Sequence, residues 1–135
     1  RASRASVTVD GETTASFDRQ GIVALVGVTH GDGPEQVQTI ARKIAELRIL
    51  TDEKSVSDVD APVIVVSQFT LYADVRKGRR PSWNGAAPGP VAEPLVESVV
   101  AALRERGLSV GTGVFGAHMD VELVNDGPIT IQVEA

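Results

Sequence analysis

The sequence predicts a single α/β domain of the α+β type: a mixed β-sheet or small barrel-like core covered by two helices. Three observations lead there. Short runs with strand character recur near both ends and in the middle of the chain. Two segments space their apolar residues at the helical period. The length of 135 residues suits one core and is too short for two, so residues 1–135 form one domain.

Taken in order, Ala5 to Val9 alternates in the strand manner and ends at Asp10-Gly11, a strong hairpin signal, with a second strand through Thr13 to Phe17. Ile22 to Val28 is nearly continuously apolar, as in a strand buried on both faces. Pro34 suits the first turn of a helix whose buried face is Val37, Ile40, Ala41, Ile44 and Leu47. Arg48 to Leu50 is expected to return as a short strand, and the polar stretch from Thr51 to Pro62 as a loop. Val63 to Val66 is β-branched and reads as an interior strand running into Ser67-Gln68-Phe69-Thr70. A long loop to Pro90 follows. The second helix has Val91, Leu95, Val99, Ala102 and Leu103 on its inner face, Pro94 near its start and Gly107 as its C-terminal cap. Met119 to Val124 and Ile129 to Val133 complete the order β-β-β-α-β-β-α-β-β.

Composition removes several classes of function. Hydrophobic residues at 42% and charged residues at 23% are those of an ordinary globular domain. The absence of cysteine excludes a disulfide frame and a thiolate nucleophile. A net charge of −5 argues against coating nucleic acid through the overall field, while leaving room for a local basic patch. His30 and His118 are the only histidines and belong to no ligand-spaced motif, so neither metal nor cofactor is expected. With no long apolar run and no signal-peptide pattern at its start, the chain is expected to be cytoplasmic, without membrane contact.

Four constellations carry candidate chemistry. Ser67, Gln68 and Thr70 end an apolar strand and offer hydroxyls, an amide and backbone N–H groups suited to an ester or oxyanion. The same pattern suits simple strand-end capping, and no triad base is evident. Arg76, Lys77, Arg79 and Arg80 place four cations within five residues, with Trp83 beyond as a stacking or packing group. That cluster reads equally as phosphate contact or solvated loop. Phe115 between glycines, with Met119 nearby, suits either a flat ligand or the core. Gly127-Pro128 reads as a hairpin turn or as a rigid backbone presenting carbonyl oxygens; X-Pro bonds go cis most readily, and Gly tolerates unusual angles.

Together, Gly27-Val28-Thr29-His30, Ser67 to Asp74, Lys77 to Ser82, Gly113 to Ala117 and Leu123 to Thr130 resemble the D-aminoacyl-tRNA deacylase family. The match spans nearly the whole chain in order, and the Ser-Gln-Phe-Thr and Asn-Asp-Gly-Pro runs are its specific elements. The resemblance implies a homodimer that hydrolyses the ester of D-aminoacyl-tRNA, including glycyl esters as weakly excluded substrates. It implies that Ser67, Gln68, Phe69 and Thr70 form the catalytic segment, with Thr70 at the active-site position. It implies that Gly127 and Pro128, joined by a cis peptide, enter the partner's site and exclude L side chains. It places Phe115 and Met119 at the terminal adenine, and Arg1 as support for the Gly-Pro loop. The family pattern also begins a few residues ahead of Arg1 and has a longer loop near Glu53-Lys54-Ser55. Two other readings stand beside this one: a non-catalytic dimeric RNA-binding module and a small-molecule esterase on the same scaffold.

Overall fold

The computed structural model describes residues 1–135. Six strands and three helices follow in the order β1 (Ala2–Val9), β2 (Glu12–Phe17), β3 (Ile22–Val26), α1 (Pro34–Glu46), α2 (Val56–Val59), β4 (Val63–Ser67), α3 (Gly89–Glu105), β5 (Val110–Thr112) and β6 (Asp120–Asn125). They form two sheets. One is antiparallel, in the order β2-β1-β6, and the other is parallel, in the order β3-β4-β5.

The hairpin forms as its sequence directs. Asp10 and Gly11 both take positive φ, at 50° and 80°, and Val9 pairs with Glu12. The parallel sheet is built by crossovers, with α1 between β3 and β4 and α3 between β4 and β5. Strand β4 lies at its centre and explains the layering. Val63 and Val65 join the core beneath α1 and α3, whereas Ile64 and Val66 point the other way, onto Ala5, Val7 and Ala15 of the antiparallel sheet. Helices, parallel sheet and antiparallel sheet therefore stack in three layers, with the buried β-branched strand in the middle.

Several expectations are corrected. Ile129 to Val133 belongs to no strand, because neither sheet pairs with it. The doubly buried strand is β4; β3 is an edge, ends at Val26 and leaves Leu25 exposed. Arg48 to Leu50 contributes only an isolated bridge between Leu50 and Lys54. Residues Val56–Val59 form a helical turn inside the supposed loop, capped reciprocally by Ser55 and Asp58. On α3 the buried face is Ala92, Val96, Val99, Val100, Ala102 and Leu103, with Val91 exposed. Pro94 lies in its second turn, and Gly107, at φ 81°, follows its C-terminus.

Candidate active site

The site begins where β4 stops. Gln68 donates its backbone N–H to Val26 O at 2.8 Å, extending the ladder by one bond. The chain then tightens into a 3₁₀ turn over Phe69–Tyr72, with Leu71 N–H on Gln68 O and Ala73 N–H on Thr70 O. The first N–H groups of such a turn have no acceptor within it, so those of Phe69 and Thr70 are free to meet a ligand. The Gln68 side-chain amide donates to Thr70 Oγ1. That bond uses a lone pair and leaves the hydroxyl proton free to donate. Gly27 permits the fold-back, since a Cβ there would lie 3.0 Å from Gln68 O and 3.2 Å from Leu71 Cβ.

Ser67, Gln68 and Phe69 face a cavity of about 520 Å³, closed on the other side by Phe115 and Met119 and underlain by Val26, Val66 and Val96. A second cavity, of about 610 Å³, shares Ser67, Val96, Phe115 and Met119 and continues along the Glu93, Glu97 and Arg104 face of α3. Phe115 and Met119 thus border both spaces. Gly113 makes room for Met119, because a Cβ there would overlap its sulfur. Five sequence-predicted residues are brought together in this way: Ser67, Gln68, Phe69, Phe115 and Met119. Thr70 does not line the cavity itself and is joined to it through Gln68.

The basic loop divides into two parts. Arg76 grips Asp74 through Nε and Nη2 at 2.9 and 2.7 Å, and its backbone N–H adds a third bond at 3.0 Å. The Arg76 side-chain hydrogen bonds, followed by its backbone N–H, hold the Asp74 carboxyl down at about 2. Asp74 and Ser82 exchange backbone bonds at 2.8 Å, closing the loop. Arg76 is therefore committed to the loop's shape, while Lys77, Arg79 and Arg80 are exposed and make no ion pair.

Gly127 and Pro128 lie elsewhere. Their peptide bond is cis, both residues are exposed, and neither lines either large cavity of its own chain. Gly127 does not have positive φ, and a Cβ on it would only reach Asn125 Nδ2 at 3.5 Å. The conformational reason expected for glycine is thus absent. What its missing side chain provides is open space beside the backbone.

The segment is nevertheless held firmly. Arg1 Nε donates to Asp126 O at 3.1 Å and pairs with Asp126 Oδ2 at 3.2 Å, while Asp126 N–H returns to Arg1 O at 2.9 Å. Gln20, which sequence reasoning missed, donates Nε2 to Asp126 Oδ2 at 2.7 Å and accepts from Thr51 N–H at 3.0 Å. No motif marks Gln20, since its partners lie 31 and 106 residues away.

Comparison with known proteins follows the same outline. The family model described as D-Tyr-tRNA(Tyr) deacylase matches residues 1–134. The chain is 64% identical over 135 residues to a D-aminoacyl-tRNA deacylase of Beutenbergia cavernae, covering 100% of this chain and 96% of that protein. It is 59% identical over 136 residues to a D-aminoacyl-tRNA deacylase of Mycobacterium tuberculosis, covering 99% of this chain and 95% of that one. Among solved structures it resembles the c-Myc DNA unwinding element binding protein, with a TM-score of 0.90, 40% identity, and coverage of 100% and 95%.

Proposed function

The chain belongs to the D-Tyr-tRNA(Tyr) deacylase family, hydrolases of the aminoacyl-tRNA ester, and on that premise we propose that it clears D-amino acids from tRNA and spares their L counterparts. The observation that carries this reading is a turn with unpaired backbone donors, Phe69 at the cavity and Thr70 next in the chain, set against a cavity lined by Phe115 and Met119. The terminal adenine packs against Phe115 and Met119, which sets the ester carbonyl beside the turn. Water adds to the carbonyl carbon, and the oxyanion that forms takes hydrogen bonds from the Phe69 and Thr70 N–H groups. The bond to the ribose oxygen then breaks, that oxygen takes up a proton, and D-amino acid and tRNA leave. An ester needs no strong protein base, and the ribose 2′-hydroxyl takes part in activating the water.

Selectivity falls to Gly127 and Pro128. Exposed and outside both large cavities of their own chain, they suit action in a second protomer, with their carbonyls around the substrate's α-carbon. An L side chain meets backbone there, a D side chain points away, and glycine is only weakly excluded. Leu123, Val124, Ile131 and Val133, exposed around the pair, supply the apolar surface that a homodimer would cover. Lys77, Arg79 and Arg80 are the available phosphate contacts, and the cytoplasm is the compartment where such a substrate occurs. The decisive experiment compares D-tyrosyl-tRNA, L-tyrosyl-tRNA and glycyl-tRNA. Rapid loss of the D ester, slower loss of the glycyl ester and an intact L ester are expected. An RNA-binding module would cleave none above background, and an indiscriminate esterase would cleave both enantiomers alike.

A further inference from the structure

Trp83 is the single tryptophan of the chain; its sequence suggests a stacking or packing group, and the proposed reaction leaves it without a task. It lines the cavity of about 520 Å³ beside Phe69, and the two rings meet edge to face, 5.4 Å between centroids and 72° between planes. Both are substantially exposed, Trp83 at 44% and Phe69 at 56%. A near-perpendicular pair leaves aromatic surface of both rings uncovered, and here that surface is at the mouth of the cavity.

The loop bearing Trp83 is pinned on either side. Asp74 and Ser82 pair just before it, and Ala86 N–H donates to Trp83 O at 3.0 Å. Beyond, Thr29 Oγ1 donates to Gly85 O at 2.6 Å, and Ala87 N–H to Val28 O at 2.9 Å. His30 Nε2 lies 2.7 Å from the Asn84 carbonyl, which can only accept, so that nitrogen carries the proton. A large aromatic ring held open on a fixed loop is a platform, and Arg79 and Arg80 lie only four and three residues before it. Backbone cations with an exposed ring are the combination that grips a single-stranded end.

We propose that Trp83, with Phe69, forms a stacking platform for a flat aromatic group of the bound aminoacyl-RNA end, separate from the adenine position at Phe115 and Met119. The inference rests on the deacylase reading. Two parts of the substrate carry such a group: an unpaired base preceding the terminal adenosine, and an aromatic D side chain.

The single tryptophan is its own reporter. Short RNAs ending in CCA, uncharged or carrying D-alanine or D-tyrosine through a non-hydrolysable amide, are titrated against the wild-type protein. Tryptophan emission and the anisotropy of a label on the RNA are followed together. Stacking changes the emission with the same midpoint as binding. A change with all three RNAs assigns the platform to a base, and one confined to the D-tyrosyl RNA assigns it to the side chain. Trp83→Ala is expected to lower kcat/KM about tenfold or more for the affected esters, while Trp83→Phe stays within a few-fold of wild type. Binding seen by anisotropy without any change in emission, or unaltered kcat/KM in Trp83→Ala for D-alanyl and D-tyrosyl esters alike, overturns the proposal and leaves the deacylase reading standing. Absence of both cleavage and binding in the wild type removes the deacylase reading, and the platform falls with it.

Discussion

The Ser67–Thr70 turn and the Gly127-Pro128 segment are built on opposite plans. The first grows from the most buried strand of the fold and looks inward, onto a cavity its own chain completes with Phe115 and Met119. The second leaves an exposed edge strand, looks outward and lines neither large cavity of its own chain. Yet each is fixed by its own hydrogen bonds, the turn through Val26 and the segment through Arg1, Asp126 and Gln20. Rigidity without a local target suits the selectivity role proposed for the segment. Substitutions on the two sides should accordingly act by different routes, one on the chemical step and the other on how the substrate is admitted.

The largest effect is expected on the inward side. Thr70→Ala keeps the backbone N–H but removes the hydroxyl that holds the Gln68 amide, and turnover of the D ester should fall about tenfold or more as the turn that carries the oxyanion donors loses its alignment. RNA affinity should change far less. An unaltered single-turnover rate would take Thr70 out of the mechanism.

Gly127→Ala tests the outward side more cleanly, because the new methyl meets nothing closer than 3.5 Å within the chain. Melting temperature should stay within about 2 °C of wild type. D-ester turnover should drop roughly 10- to 100-fold, as expected when a methyl intrudes on a close contact. If turnover survives as well, the segment is a turn with no role in the site.

Asp126→Ala probes how the segment is held. It removes the partner of both Arg1 and Gln20, and the cost to stability should be about 1 kcal/mol, since the contacts are partly solvent-screened. The ratio of D- to L-ester turnover should narrow several-fold while the D rate changes little. A proportional fall of both rates would mean that the brace serves folding alone.

The sequence made the inward plan far more legible than the outward one. Alternation, a hairpin dipeptide and helical spacing located β1, β2, α1, β4 and α3, because these elements declare their buried faces within a few residues. Strand β5 has only three residues, one of them Gly111, and exists because β4 offers an edge. Ile129 to Val133 shows the converse: it alternates as a strand should, but pairing is a property of two segments, and no strand of the chain pairs with it. The Ser55–Asp58 cap was readable from its spacing, in a stretch whose polarity suggested a loop. Gln20 was not readable at all, because its meaning lies in partners distant along the chain. Quoted motifs recovered the cavity walls, whereas the brace behind Gly127 required coordinates.

The smallest effect lies between the two regions, in the loop that carries the cations, and it is a matter of acid. Asp74 has its carboxyl lowered to about 2 by the Arg76 guanidinium and backbone N–H, against an ordinary value of 3.8. A depressed carboxyl pKa stabilises the folded loop fully above the unfolded value, and the contribution fades as pH falls from about 3.8 through about 2. Because both side chains are solvent-exposed, global stability should scarcely register the change, and high salt should weaken it. The expected result is a carboxyl carbon resonance of Asp74 titrating near 2 in low salt, moving back toward 3.8 in Arg76→Gln. At neutral pH that substitution should loosen the loop and leave Lys77, Arg79 and Arg80 in place, so RNA affinity should fall less than it does in Arg79→Gln. A larger loss from Arg76→Gln would show that the paired arginine, rather than its free neighbours, meets the phosphates.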